Sequence, residues 1–295
     1  MTTPQVSIII PFYSNLDWLC EAVESVLSQT YQDYEIIVVN DGSPDDMTEF
    51  LNTYGKRLLC ISQPNNGPAA ARNNGIRHAR GRYIAFIDSD DVWLPTKLEK
   101  QVDFMKKTGA MWCHTGYWHW YPATGRLKQI YNRHDYDDIL LQRIVSSKVA
   151  TPAVIFDRRI FDEESFRYPE DMRIGEDDQL YTEIAVRHKI GLIAEPLVKV
   201  RQRGDNTYTR VIERFHLRRN NFRKWKAGGR KFPMMIHFIF ALYSVYSRIF
   251  PLSFAKKTWA IFSAKCCWVL PYAIERAYLR VLYMTLRKDP RYLVD

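Results

Sequence analysis

Short apolar runs rich in β-branched side chains recur along the first ninety or so residues, and each ends in polar turn residues. They are "VSIIIPF" (6–12), "YEIIVVNDGS" (34–43), "LLCISQ" (58–63) and "RYIAFIDS" (82–89). Runs of this length, bounded by turn signals, predict buried strands. Between them the spacing becomes helical. Leu16, Leu19, Val23, Val26 and Leu27 follow Ser14 and Asp17, which read as a capping box. A helix is expected around 45–54, and another over "GPAAARNNGIRHA" (67–79), with Pro68 in its first turn and Gly75 as an interruption. Pro95 opens a further helix. This alternation predicts an α/β fold, a doubly wound and mostly parallel sheet with helices on both faces. Such sheets bind ligands outside the carboxyl ends of their strands. Pro11–Tyr13, Asn40–Ser43 and Asp88–Asp91 should therefore gather on one edge.

Beyond residue 110 the pattern changes. "AMWCHTGYWHWY" is an aromatic strand, closed by the turn "PATG", and "TPAVIFD" (151–157) is another strand. A helix is expected over 176–189, then "GLIAEPLVKVRQR" as two strands separated at Pro196. From about 210 the chain reads as helical, with breaks at Gly228–Gly229, Pro233, Pro251 and Pro271. Charge marks the same boundary. Residues 1–209 hold 24 Lys/Arg and 29 Asp/Glu, a net of −5, whereas 210–295 hold 18 and 4, a net of +14. We read 1–209 as a catalytic domain and 210–295 as a basic amphipathic helical region. The apolar runs at 234–250 and 259–274 fall short of the ~20 clean residues that a spanning helix needs. Flanking Lys/Arg with interspersed Trp and Tyr suit helices lying in the interface of an anionic membrane, that is, peripheral contact at its cytoplasmic face. A helical subdomain packed on protein is the alternative. Nucleic acid is not expected, since no recognised binding module accompanies the charge. Five cysteines without C-x-x-C spacing, and an N-terminus without a signal-peptide pattern, agree with a reducing compartment.

The run "YIAFIDSDDVWLP" (83–95) poses a chemical question, because Asp88, Asp90 and Asp91 crowd the end of a buried strand. A single Asp there is ordinarily a turn former or a cap. Three in four positions cannot pair with one another. Clustered carboxylates suit a hard divalent cation, Mg²⁺ or Mn²⁺, which completes its shell with water and substrate phosphates.

"SIIIPFY", "EIIVVNDGS", "NNGPAAARNNGI", "GRYIAFIDSDDVWLP" and "GEDDQLYTEIA" follow one another in the order and spacing of family 2 glycosyltransferases. Over residues 4–207 the chain resembles that family, whose fold is called GT-A. The resemblance implies inverting transfer of a single sugar from a nucleotide sugar, a UDP-sugar first among them, to a hydroxyl of a glycan or lipid-linked acceptor. By this resemblance Pro11 and Tyr13 lie beside the nucleobase and Asp41 recognises its ring N–H. Arg72 sits near the nucleotide, Asp88 towards the ribose and Asp90 on the metal. Asp177 is implied as general base, with Asp178 as its rival. The departures are Asn40 before Asp41, and Gln179 and Tyr181 after the base, which leave acceptor contacts open. No Q-x-x-R-W is present, so processive synthesis is disfavoured. A catalytically silent nucleotide-sugar-binding or membrane-scaffold protein is the alternative; intact Asp41, Asp90 and Asp177 argue against it. Arg201, Arg203 and Asn206 are candidates for a diphosphate loop or an ordinary charged turn. His114 and His119, five apart on a strand, are expected to be packed or exposed and not metal ligands.

Overall fold

The structure is a computed structural model that describes residues 3–130, 149–172 and 175–202. The chain divides into two compact units, Met1–Arg203 and Gly204–Asp295. The described elements belong to the first, and the expected tail helices lie outside the described residues. Four strands, β1 (Val6–Phe12), β2 (Tyr34–Asp41), β3 (Leu59–Gln63) and β4 (Tyr83–Phe86), form a parallel array in the order β3-β2-β1-β4. The helices α1 (Leu16–Leu27), α2 (Thr48–Tyr54) and α3 (Gly67–His78) connect them. Strand order reverses between β1 and β4, and that crevice is the switch point where such sheets bind ligands.

Beyond β4 the directions mix. A two-residue strand β5 (Val92–Trp93), α4 (Lys97–Thr108), β6 (Trp112–Tyr121) and β7 (Arg126–Ile130) come next. They are followed by β8 (Val154–Asp157), α5 (Arg159–Asp162), α6 (Glu176–Arg187) and β9 (Gly191–Arg201). The sheet continues from β4 through β8, β6 and β9 to β5, with β7 paired to β6. β8 runs antiparallel to β4 and to β6, and β9 runs parallel to β6.

Both faces of the parallel array are covered, which is why its strands are apolar at consecutive positions. Ile8 and Ile10 face one core with Leu19, Val23, Val26 and Val38. Ile9 faces the other with Ile37, Val39, Ile76, Ile84, Phe86 and Phe156. Gly75 has a packing reason: a Cβ there would meet Ile9 Cγ2 at 2.4 Å. The helix therefore lies against β1 at a distance only glycine permits, and its interruption of the helical pattern is the condition for contact.

Buried polar groups also shape this unit. Lys97, at the start of α4, is fully buried, with its Nζ 3.6 Å from the Trp93 ring centroid. Among the described residues that Nζ has no hydrogen-bond partner. Burial pushes its pKa well below the ordinary lysine value.

Several local expectations are corrected. The cap of α1 is Asn15, not the Ser14–Asp17 box; its side-chain oxygen accepts from Trp18 N at 3.1 Å. Asn15 holds φ 75°, a left-handed conformation that Asn tolerates better than most residues. Its own N–H donates to Asp45 at 2.7 Å, a partner 30 residues away. β4 stops at Phe86, short of residue 89, because the chain turns there: Asp91 N donates to Asp88 O at 3.0 Å. Residues 191–201 form one strand instead of two. Pro196 falls opposite Gly116 where the β6–β9 register shifts, and an irregularity of that kind admits a residue lacking an N–H.

Candidate active site

The structure separates the three aspartates by giving each a different environment. Asp88 accepts from Arg72 Nη2 at 2.7 Å. Asp91 is buried and accepts the Arg201 backbone N–H at 2.9 Å. Asp90 lies between them, half-buried, and its backbone oxygen accepts from Arg201 Nε at 2.8 Å. The repulsion that the sequence raised is thus relieved by distribution. One carboxylate goes to a buried guanidinium and one to a backbone amide, and Asp90 lies half-buried between them.

Arg72 is the hub of this edge. It projects from α3, is 5% exposed, and gives Nη1 to Glu176 Oε1 at 2.9 Å while Nη2 holds Asp88. Its guanidinium also lies 5.3 Å from the Tyr168 ring centroid. Burial works against its charge, but Asp88 first, with Tyr168 and Glu176, outweighs burial and raises its pKa further. Through this one side chain the end of β4 and the first turn of α6 are tied to α3.

Asp41 lies at the end of β2 and is 4% exposed. Its Oδ1 accepts from Gln63 Nε2 at 2.8 Å and Asn66 N at 2.9 Å, and its Oδ2 from Gly67 N at 2.8 Å. Asn66 itself makes no side-chain cap, so Asp41 caps α3 from a neighbouring strand. A carboxylate offers about four acceptor sites, which leaves Asp41 room for one further donor. Pro11 is half-buried in β1, in register with Val39, and Tyr13 just beyond it is 48% exposed. The Tyr13 ring is thus exposed just beyond the carboxyl end of β1.

The acidic triplet Glu176–Asp177–Asp178 fills the first turn of α6, where helix N-termini favour negative charge. Asp177 is half-buried and Asp178 buried. Thr151 Oγ1 donates to Asp177 Oδ2 at 3.4 Å, and Asp178 N donates to Asp177 Oδ1 at 2.7 Å. A base needs access to its proton donor, and of the two rivals Asp177 is the more accessible.

Among the described residues no group of three or more His, Cys, Asp or Glu is disposed to hold a metal. A Mg²⁺ or Mn²⁺ takes one or two protein carboxylates and fills the rest of its shell from phosphate and water. Asp90, half-buried in the turn, is the candidate for that role. His114 is buried and His119 half-buried on β6.

The roles of two residues, Glu176 and Arg201, are not legible in the sequence. Glu176, part of the acidic motif that opens α6, pairs with Arg72. Arg201 is 8% exposed and lies 4.2 Å from the Trp120 ring and 5.1 Å from the Trp18 ring. It pairs with Glu21 and braces the Asp90–Asp91 turn, so it is a buried brace and not a residue of an ordinary charged turn. Local spacing carries no signal for either. Arg203 and Asn206 lie outside the described residues.

Known proteins share this architecture. The crystal structure of S. aureus TarS 1-349 in complex with UDP superposes with a TM-score of 0.56 and 20% identity, covering 74% of this chain and 65% of that one. The complex of the same protein with UDP-GlcNAc gives 0.61 and 15% identity, covering 92% and 81%. The fold is thereby placed in the GT-A class. A family model described as Glycosyl transferase family 2 matches residues 7–250. The chain belongs to this family. An uncharacterized glycosyltransferase of Rickettsia bellii is 39% identical over 206 residues, 69% of this chain and 29% of that protein. The Escherichia coli protein WfaP, a UDP-Glc:alpha-D-GlcNAc-diphosphoundecaprenol beta-1,3-glucosyltransferase, is 44% identical over 117 residues, 38% of this chain and 46% of WfaP. The chain thus spans less than half the length of either relative.

Proposed function

We propose that this enzyme transfers one sugar from a UDP-sugar to a hydroxyl of a glycan or lipid-linked acceptor, inverting the anomeric carbon. The observation that carries the reading is the Arg72 hub. It brings Asp88 and the turn bearing Asp90 to the same edge as the first turn of α6, where Asp177 sits. TarS binds UDP and UDP-GlcNAc, and the name of WfaP specifies a UDP-Glc donor and a diphosphoundecaprenol-linked acceptor; both favour these substrate classes.

In this reading Tyr13 stacks on the nucleobase beside Pro11, and Asp41 uses its remaining acceptor site for a ring N–H. Asp88, oriented by Arg72, faces the ribose. Asp90 would hold a Mg²⁺ or Mn²⁺, which supplies positive charge for the departing diphosphate. Asp177 accepts the proton of the acceptor hydroxyl as that oxygen bonds to the anomeric carbon. The bond from the same carbon to the diphosphate oxygen breaks on the opposite face, releasing UDP. No covalent enzyme intermediate is needed. The net charge of +14 over residues 210–295 would hold the enzyme to anionic lipid at the cytoplasmic face, near a lipid-linked acceptor.

Asp177→Asn keeps shape and removes the proton acceptor, so UDP binding should persist while sugar transfer collapses. If Asp178→Asn collapses turnover and Asp177→Asn does not, the base lies one residue further along.

A further inference from the structure

Behind Asp177 lies a line of buried hydroxyls that the transfer step does not use. Tyr168 Oη and Tyr181 Oη are 3.2 Å apart, Tyr181 Oη donates to Thr151 Oγ1 at 3.1 Å, and Thr151 Oγ1 donates to Asp177 Oδ2 at 3.4 Å. Tyr168, Tyr181 and Thr151 are 1%, 0% and 4% exposed. They come from three places in the chain: the segment before α6, α6 itself, and the 3₁₀ turn Thr151–Ala153 that leads into β8.

Each hydroxyl has a single proton, and this fixes the direction of the line. Thr151 gives its proton to Asp177, so it must accept from Tyr181. Tyr181, having donated to Thr151, must in turn accept from Tyr168. All three O–H bonds therefore point toward the carboxylate. Burial raises the pKa of both tyrosines, so their protons stay in place at ordinary pH. The Asp177 carboxylate receives this line at Oδ2. Its other oxygen, Oδ1, takes the Asp178 N–H at 2.7 Å. Both oxygens are thus referenced to fixed parts of the fold, Oδ2 to the 3₁₀ turn and Oδ1 to the backbone of α6.

We infer that Thr151 and Tyr181 are positioning residues for the general base: the hydroxyl line Tyr168–Tyr181–Thr151 fixes the orientation of the Asp177 carboxylate and keeps it ready to accept the acceptor proton. This rests on the reading of Asp177 as base. The competing account is packing alone, since the Tyr181 ring sits 5.7 Å from Phe156 and 6.0 Å from Trp112. Substitutions that delete an oxygen and keep the shape separate the two.

The experiment uses the full chain with Mn²⁺ and measures UDP release from UDP-GlcNAc and UDP-Glc, with UDP affinity by calorimetry and a thermal melt for each variant. Tyr181→Phe and Thr151→Val should each lower kcat about tenfold, the weaker end for a hydrogen bond to a charged group, with UDP affinity held within about twofold. Thr151→Ser, which restores the hydroxyl, should return kcat to near the wild-type value. Wild-type kcat in Tyr181→Phe and Thr151→Val, with Asp177→Asn inactive, would overturn the inference and leave the base assignment standing. Loss of kcat in Thr151→Ser equal to that in Thr151→Val would overturn it as well, since packing and not the hydroxyl would then be responsible. Full activity in Asp177→Asn would instead remove the base reading, and the positioning role with it.

Discussion

Arg72→Met removes the hub while filling most of its volume, and the cost can be worked from the two ion pairs. Arg72 is held at 2.7 Å to Asp88 and 2.9 Å to Glu176, with side-chain exposures of 6% for Arg72, 31% for Asp88 and 10% for Glu176. Deleting one partner of a buried pair costs about 3–5 kcal/mol, because the remaining charge is uncompensated. Asp88 can recover water at the turn mouth and Glu176 cannot, so most of the penalty falls on Glu176, and the lower half of that range applies. For a unit of this size 1 kcal/mol corresponds to roughly 2–4 °C, so the melting temperature should fall by about 6–16 °C. Adding Glu176→Gln to Arg72→Met should recover part of the loss, since the stranded charge is then gone, whereas Glu176→Gln alone should be destabilising. This sign reversal is a coupling measurement. Arg72→Lys should lie between wild type and Arg72→Met, because a lysine keeps the charge without the fork that spans two carboxylates. Thermal melts of the four variants test the argument. A fall of less than about 2 °C in Arg72→Met would refute it, because so small a loss corresponds to at most 1 kcal/mol and not to a stranded buried charge.

Lys97→Met should stabilise the fold by about 1–3 kcal/mol near neutral pH, since it replaces a buried amine without a hydrogen-bond partner among the described residues by an apolar chain of similar length. The folded pKa of Lys97 is lowered, so between that value and the free-lysine value near 10.4 the unfolded chain binds more protons and stability rises with pH. The advantage of Lys97→Met should therefore shrink as pH rises through that window, and denaturant melts at several pH values would show it; a loss of stability would mean that the contact with Trp93 outweighs burial. Gly75→Ala should destabilise despite the higher helix propensity of alanine, by about 1–3 kcal/mol from overpacking against Ile9. Combined with Ile9→Ala it should cost less than the sum of the single changes, and additive melts would show that the helix can move aside.

What the sequence made legible was whatever has a local period or a local motif. The parallel strands could be located because burial on both faces leaves apolar runs at Ile8–Ile10 and Ile36–Val39, and Pro68 marked the first turn of α3. The carboxylate turn stood out because three like charges in four positions have no local explanation. Features set by distant partners did not show. Asn15 is fixed as a cap partly by Asp45, Pro196 continues a strand because Gly116 lies opposite, and Glu176 matters because Arg72 reaches it across the fold. The hydroxyl line behind Asp177 is likewise invisible in one dimension, since Thr151 and Tyr181 are 30 positions apart. Position in a motif made Asp177 a candidate; only the three-dimensional arrangement supplies its neighbours.

If Asp41 reads the nucleobase as proposed, its three hydrogen-bond donors tie donor specificity to architecture. The carboxylate proposed to read the nucleobase is also the anchor that two backbone N–H groups at the start of α3 require, and α3 carries Arg72. An exchange at position 41 aimed at another base would therefore loosen the helix that orients Asp88. Retargeting such an enzyme would have to begin at the periphery of the nucleobase, with the exposed Tyr13 ring or with Gln63, whose amide shares Asp41 Oδ1. Under that proposal the anchor itself would resist exchange, and drift in donor preference would be steered to the residues around it.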